Sequence, residues 1–354
     1  GGAGITSAGS GSVNLTAGGE GSSLLVASAL TLNGGRLALA AAQDVDVRAL
    51  LSNSDGQIAI NASGRDALLA AHVQTDGFVE ISANRDIFQT DGQAVVATGA
   101  SGLGAVNMFA GRNLTLSRVE AQANSLLQAQ EGAIVDGLTG SLNNAAGQAR
   151  SENLIVSAGN VVLTAATGIG SASLHLLTEV ASMAVANQGS GGVFLTERDN
   201  LLVTGSHGTG SNAIDVLTTS GANGALVLTS TSGSITVTGP VLVSGNVLFK
   251  TVAAGQDLLI KSDITSIAGS IELRSADEIV IEDALFDNYA PTLEAKALGQ
   301  SVNIYAASSV TMQIDAQVVV NQGTILMEAA AGNLTLGIFK TGTDGSARRK
   351  ASAA

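Results

Sequence analysis

The sequence is poor in the residues that usually cross-link or fill a protein core. It has no cysteine and no tryptophan, only 2 prolines among 354 residues, and 3% aromatic residues. The lack of cysteine excludes disulfides, thiol chemistry and cysteine-ligated metal sites. With so few rings, the core has to be thin and packed by Val, Ile, Leu and Ala.

Charge is also scarce, and it is mainly negative. Charged residues make up 13% of the chain, and the formal net charge is −13. Binding to phosphates requires Lys and Arg, so this balance argues against a nucleic-acid partner. No apolar run is long enough to span a bilayer, so we predict no membrane insertion. The sequence starts in mid-pattern at Gly1 without a signal peptide, and we interpret it as a piece of a longer chain.

Glycine is abundant, with 44 residues, and it opens a recurring unit. The unit reads Gly-x-φ-x-φ-x-Ala, where φ is apolar, followed by a short gap, an Asp or Asn, and a second apolar alternation. The Asp or Asn follows the glycine at a nearly constant distance, at Asp44, Asp66, Asp86, Asn113 and Asn333. Units start at similar but not identical intervals, at Gly11, Gly35, Gly56, Gly77, Gly104, Gly269 and Gly323.

Strict alternation over several residues indicates half-buried strands. Two such strands per unit, joined by gaps too short for a helix, predict an all-β fold, a parallel β-helix (β-solenoid). We expect roughly 15–17 turns of about 20–24 residues, with a few protruding loops. The general preference for right-handed crossovers favours a right-handed coil.

The alternation also predicts which side chains face the core. The expected outward residues are Asn14, Asn61, Glu80, Ser82 and Asn107. The expected inward residues are Val13, Leu15, Ile58, Ile60, Val79, Ile81, Val106 and Met108, with Ala17, Ala62, Ala83 and Ala110 where the chain turns.

The corner after each first strand carries an acidic or amide residue. Stacked in register, Asp44, Asp66 and Asp86 would repel one another. Arg65, Arg85 and Arg112 each come directly before such a corner residue and can offset that repulsion. We interpret this Arg-Asp pairing as structural rather than as a calcium or ligand site.

The regularity of the pattern varies along one predicted solenoid, residues 1–340. We predict regular turns over 11–117, an irregular, loop-rich part over 118–192, turns over 193–282, an excursion over 283–299 and turns over 300–340. Residues 341–354 are expected to be a polar tail or a junction. Leu174 to Ala186 approaches helical spacing, but we prefer an irregular coil there.

Several segments resemble a known family. The segments GSVNLTA, AGRNLTLS, AGNLTLG and TAATGIGSASLHLLTEVASMAVANQGSGGVFLTERDNLLVTG look like the repeat regions of filamentous haemagglutinin-like bacterial exoproteins. This resemblance implies a right-handed parallel β-helix, an extracellular or cell-surface location, and a role in adhesion, matrix or filament formation.

No catalytic, cofactor-binding or metal-binding residues are predicted. The hydrolase, P-loop and H-E-x-x-H motifs are missing, and His72, His175 and His207 are scattered. Carboxylates could serve a β-helix polysaccharide-degrading enzyme. The candidates for that role are Asp44 with Asp46, and the group of Asp277, Glu278, Glu282 and Asp283. The chain offers few aromatic platforms and basic residues for a sugar, so a solvated face is the better interpretation.

Two further patterns also have structural interpretations. Thr236 and Thr238 resemble an ice-binding array, but no array repeats along the chain. Asn14, Asn113 and Asn333 match the glycosylation sequon only because the repeat starts a strand there.

The repeat favours a mechanical role. We expect a stiff fibre or stalk, with neighbouring repeats of the same chain as partners and possible end-to-end or lateral self-association. The alternative is a module that binds a glycan or surface protein through loops at 118–152 and 283–299. The enzyme hypothesis predicts that alanine at the 277–283 carboxylates abolishes polysaccharide turnover.

Overall fold

The computed structural model describes residues 4–99, 103–137, 155–204, 217–219, 224–283, 290–343 and 345–351. Every regular element within these ranges is a β-strand, and the strands pair in parallel, in about 13 turns of a β-solenoid. The chain divides into two compact units, here called the first unit (residues 1–180) and the second unit (residues 181–354). The continuity of residues 1–340 as one solenoid stays a prediction.

The strands are short and closely spaced in both units. The first unit contains β1 (Ile5–Ser7), β2 (Val13–Ala17), β3 (Leu24–Val26), β4 (Leu30–Leu32), β5 (Gly35–Ala41), β6 (Val45–Val47), β7 (Leu51–Asn53), β8 (Gly56–Ala62), β9 (Ala67–Leu69), β10 (Val73–Thr75), β11 (Val79–Ala83), β12 (Ile87–Gln89), β13 (Ala94–Ala97), β14 (Val106–Ala110), β15 (Leu114–Leu116), β16 (Arg118–Ala121), β17 (Ser125–Ala129), β18 (Ile134–Asp136) and β19 (Ile155–Ala165). The division between the units falls within β20 (Leu176–Asn187).

The second unit continues with strands of similar length. It contains β21 (Val193–Glu197), β22 (Leu201–Val203), β23 (Leu217–Thr219), β24 (Leu226–Ser230), β25 (Ile235–Val237), β26 (Val241–Val243), β27 (Val247–Thr251), β28 (Leu258–Ile260), β29 (Ile264–Ser266), β30 (Ile271–Ser275), β31 (Ile279–Ile281), β32 (Thr292–Leu298), β33 (Val302–Ala306), β34 (Val310–Met312), β35 (Gln317–Asn321), β36 (Thr324–Ala329), β37 (Leu334–Thr335), β38 (Ile338–Thr341) and β39 (Ser346–Ala351).

A turn contains three strands, not the two that the sequence predicted, and they stack into faces A, B and C. In the first unit, face A holds β2, β5, β8, β11, β14, β17 and residues 161–165 of β19; face B holds β3, β6, β9, β12, β15 and β18; face C holds β1, β4, β7, β10, β13, β16 and residues 155–157 of β19. In the second unit, face A holds β21, β24, β27, β30, β33, β36 and β39; face B holds β22, β25, β28, β31, β34 and β37; face C holds β23, β26, β29, β32, β35 and β38.

The core is a stack of aliphatic side chains from all three faces. Ile58, Ile60, Val79 and Ile81 on face A are at most 1% exposed, as the alternation predicted. The predicted inward residues Val106, Met108, Ala62, Ala83 and Ala110 are also buried, whereas Val13, Leu15 and Ala17 are half-buried. The predicted outward residues Asn14 and Asn61 are exposed, and Glu80, Ser82 and Asn107 are half-buried.

The number of turns, about 13, is lower than the 15–17 predicted. The reason is that a turn is not uniform in length. On face A, the register partners Leu37 and Ile58 are joined by a short stretch of chain, whereas Ser125 and Val161 are joined by a much longer one. The longer connections consume sequence without adding a turn.

Three predicted irregular segments are more regular than expected. Within 118–192, strands β16 to β20 occupy much of the described sequence, and the segment for which a helix or irregular coil was considered is strand β20. The excursion over 283–299 ends early, because β32 pairs with β29 and β35; residues 284–289 lie outside the described residues. The tail forms β39, which pairs with β36 through the main chain and therefore needs no apolar side chains.

Glycines at one corner let successive turns approach closely. A Cβ atom added at Gly77 would lie 2.1 Å from the carbonyl oxygen of Gly56, one turn earlier. We expect Gly77→Ala to lower the free energy of unfolding by about 1–3 kcal/mol, the usual cost of overpacking. Thermal unfolding followed by circular dichroism measures this. Gly9→Ala is the control, since nothing lies within 4 Å of that Cβ position, and equal losses in both variants would contradict the prediction.

Candidate interaction surfaces

A row of polar residues at the corner between faces A and B, here called the corner ladder, joins successive turns of the first unit. Each member lies directly before its face B strand, and its Oδ1 accepts a hydrogen bond from the backbone N–H of the equivalent residue one turn later. The donor-acceptor pairs are Asp66 to Asp44 at 3.1 Å, Asp86 to Asp66 at 3.1 Å, Asn113 to Asp86 at 3.0 Å and Ala133 to Asn113 at 3.1 Å. These bonds supplement the hydrogen bonds of the strands.

Each ladder carboxylate is also paired with an arginine from the following turn. This confirms the Arg-Asp pairing predicted from the sequence. The side chains are partly exposed, so each pair contributes little stability by itself and acts mainly by offsetting repulsion between the stacked carboxylates. The pairs are Arg65 with Asp44 at 3.8 Å, Arg85 with Asp66 at 3.1 Å, and Arg112 with Asp86.

The ladder changes the acidity of Asp86. Burial alone would raise the pKa of its carboxyl, but the hydrogen bonds from Arg112 and Asn113 and the charge of Arg112 outweigh it, so the pKa is lowered. The folded-state pKa therefore lies below the unfolded value of about 3.9. The stabilising contribution is complete above the unfolded pKa and is lost as pH falls through the folded pKa.

We expect Arg112→Ala to raise the pKa of Asp86, because it removes both a hydrogen bond and a positive charge. Nuclear magnetic resonance titration of the carboxyl carbon measures the change. Arg48→Ala is the matched control, since Arg48 pairs with Asp46 at 2.7 Å and makes no ion pair with a ladder residue in the described part of the chain. An unchanged pKa of Asp86 in Arg112→Ala would contradict the prediction.

The second unit has an equivalent ladder between its own faces A and B, of which the sequence analysis identified only Asn333, whose N–H donates to Ser309 Oγ at 3.2 Å. Ser234 N–H donates to Asn200 Oδ1 at 2.8 Å, Asp257 N–H to Ser234 Oγ at 2.9 Å, and Glu278 N–H to Asp257 Oδ1 at 3.0 Å. All these residues directly precede a face B strand. A polar residue directly before each face B strand could have indicated this ladder. It was hard to recognise because the residue type varies among Asn, Ser, Asp and Glu.

The carboxylates considered for catalysis are held in separate contacts. Asp44 belongs to the corner ladder, whereas Asp46 lies in the middle of β6 and binds Arg48. Glu282 pairs with Lys261 at 3.3 Å, and Glu278 contributes its N–H to the second ladder. Among the residues that the structure describes, no three His, Asp or Glu side chains are placed to hold a metal ion.

The remaining candidates have structural surroundings as well. His72 Nδ1 accepts a hydrogen bond from the N–H of Ala94 at 2.9 Å, and His175 lies just before β20. His207 lies outside the described residues. Thr236 stands between Leu202 and Leu259 of the neighbouring turns, which interrupts any threonine array.

Each unit has a shallow groove along the outer side of its own face A. The neutral groove in the first unit has a volume of about 340 Å³ and includes Asn61, Ser82, Phe109 and Gln128. The charged groove in the second unit has a volume of about 390 Å³ and includes Lys250, Arg274, Tyr305 and Glu328. Each set occupies one row, in which the residues are register partners in successive turns.

Sequence reasoning missed both grooves. The signal was the next-to-last residue of each face A strand in VLFKT, IELRS and VNIYA. It is visible only when the strands are aligned by register.

No stretch of helix suited to crossing a membrane is found in the described ranges. Comparison with models of known families, with curated proteins and with solved structures gives no match. The pairing of the strands shows a parallel β-solenoid, and no family is identified for the chain.

Proposed function

We propose that this chain is a structural, adhesive segment of a large secreted or cell-surface bacterial protein, where it acts as a stiff fibre or stalk. One observation carries the proposal. In each unit, the strands of one turn pair in register with those of the next on three faces, and a corner ladder adds further bonds between turns. Bending a unit would therefore break many hydrogen bonds at once.

The aliphatic core supports the same role. Neighbouring turns contribute Ile58, Val79 and Val106 at equivalent positions, and all three are fully buried. Since each turn needs only its neighbours to bury this surface, a chain can gain length without a wider core. The resemblance of the repeats to haemagglutinin-like exoproteins favours a bacterial surface location.

The alternative is a binding module. The loops expected to make partner contacts fall partly outside the described residues, at 138–154 and 284–289. The charged groove favours this alternative instead, because it gathers Lys250, Arg274 and Tyr305 on an accessible face.

The test is immunogold imaging of the producing bacterium with an antibody raised against residues 1–354. A structural segment predicts label along surface fibres, away from their tips. Label confined to fibre tips or contact points would favour the binding module and overturn the stalk. Label found only inside permeabilised cells would overturn the proposed location.

A further inference from the structure

The charged groove brings together two cationic side chains and one of the 2 tyrosines of the chain. Lys250, Arg274 and Tyr305 are register partners in β27, β30 and β33. Strands of successive turns lie about 4.8 Å apart, so the three residues form a short row along the stacking direction. They are distant from one another in the sequence, and only the fold makes them neighbours.

The cationic groups of the groove keep donors available. Lys250 forms no ion pair with any residue that the structure describes. Arg274 binds Glu272 through Nε, and its side chain makes no hydrogen bond or ion pair with any other described residue. The side chain of Arg274 is 54% exposed. A guanidinium with its terminal nitrogens available matches a carboxylate, which can accept two parallel hydrogen bonds.

Tyr305 orients the arginine and adds a polar group. The guanidinium carbon of Arg274 lies 5.4 Å from the centroid of the Tyr305 ring, within the range of a cation-π contact. The tyrosine hydroxyl bonds no described residue and can donate to or accept from a ligand. Glu328 is the register partner of Tyr305 in the next turn. Lys350 Nζ donates to Glu328 Oε1 at 2.8 Å, and the carboxylate offers a further acceptor to a ligand.

We propose that the charged groove binds an acidic saccharide, with a sugar carboxylate on Lys250 and Arg274 and the ring hydroxyls on Tyr305 and Glu328. The groove supplies both kinds of partner that such a ligand needs: cations for the carboxylate, and a hydroxyl and a carboxylate for neutral sugar hydroxyls. The net charge of −13 disfavours a nucleic acid, whose phosphates require many cations. This site does not depend on the stalk proposal, since a fibre could carry it or lack it.

The test is calorimetric titration of the whole chain with trigalacturonic acid, and with galactotriose as the neutral analogue. We expect the acidic trisaccharide to bind at least about tenfold more tightly, because hydrogen bonds to charged groups are stronger than those between neutral groups. Lys250→Ala and Arg274→Ala should each weaken binding by about tenfold or more on the same grounds. Arg274→Lys should restore only part of the loss, because a lysine cannot bind two oxygens in parallel.

The neutral groove provides the matched control. Phe109 occupies the row position equivalent to Tyr305, so Phe109→Ala should leave the affinity unchanged. Thermal unfolding of each variant separates loss of binding from loss of fold. Equal affinity for galactotriose, equal affinity for a triglutamate peptide, or normal binding by Lys250→Ala would each overturn the proposal.

Discussion

Phe249→Ala is expected to lower the free energy of unfolding of the second unit by about 3–5 kcal/mol, the usual cost of deleting a buried aromatic ring. Phe249 is fully buried and is the bulkiest of the completely buried side chains in the described residues. Its register partners are Leu228 and Leu273. The hydrogen bonds of β27 fix the spacing of the turns, so the neighbours cannot collapse into the cavity.

Urea denaturation followed by circular dichroism measures this loss, and the next residue provides the control. Lys250 lies on the outer side of the same strand, so Lys250→Ala should change the free energy of unfolding by less than about 0.5 kcal/mol. Similar denaturation midpoints for the two variants would show that the face A core is not tightly packed at Phe249.

Gln89→Leu should destabilise the first unit by about 3 kcal/mol, because it removes three hydrogen bonds of a fully buried side chain, and such bonds contribute about 1 kcal/mol each. Gln89 is fully buried at the end of β12. Its amide donates to the carbonyls of Gln93 at 2.8 Å and Arg118 at 2.7 Å, and accepts from the N–H of Ser117 at 3.0 Å. Leucine fills a similar volume but provides none of these bonds.

The control for this variant is Gln74→Leu. Gln74 is exposed on face C, and among the described residues its amide donates only to Ser52 Oγ, at 3.3 Å. We expect Gln74→Leu to change the free energy of unfolding by less than about 0.5 kcal/mol. If both variants lost the same stability, leucine itself, and not the buried hydrogen bonds of Gln89, would account for the effect.

The part of the fold that could be predicted from the sequence is the part with a strict alternation. Val79 and Ile81 are buried and alternate with half-buried Glu80 and Ser82 along the five-residue strand β11, so both the strand and its buried side were evident. Face C was missed because its strands, such as β7 and β10, have only three residues and no recurring residue comes before them. The equally short strands of face B, such as β6 and β9, were evident because each follows the recurring Asp or Asn.

Strand β20 was missed for the opposite reason. Both sides of its C-terminal half are buried, so Met183, Ala184, Val185 and Ala186 show no alternation, and their spacing resembled a helix. The polar strand β39 gave no signal, because its pairing with β36 uses the main chain. In both cases the stacked neighbour, not the local sequence, determines the strand.

The corner ladder was partly predictable and the charged groove was not. Asp44, Asp66 and Asp86 recur at a nearly constant distance from the preceding glycine, which made their stacking evident. Lys250, Arg274 and Tyr305 are unequally spaced in the sequence, because the segment from Arg274 to Tyr305 is longer than the segment from Lys250 to Arg274. Register must be known before such residues can be assigned to one row.

The unequal turns share a further property. Three of the longer connections join the end of a face B strand to the start of the next face C strand, at the corner between these two faces, and each lies partly outside the described residues: Asp136 to Ile155, Val203 to Leu217, and Ile281 to Thr292. In each case the following strand returns to its row, so the length of the connection is independent of the register. Because loop closure costs only about 0.6 kcal/mol for each doubling of length, segments of very different size can be exchanged there. This corner is therefore a grafting site, at which new sequences could be displayed at chosen turns while the stack stays unchanged.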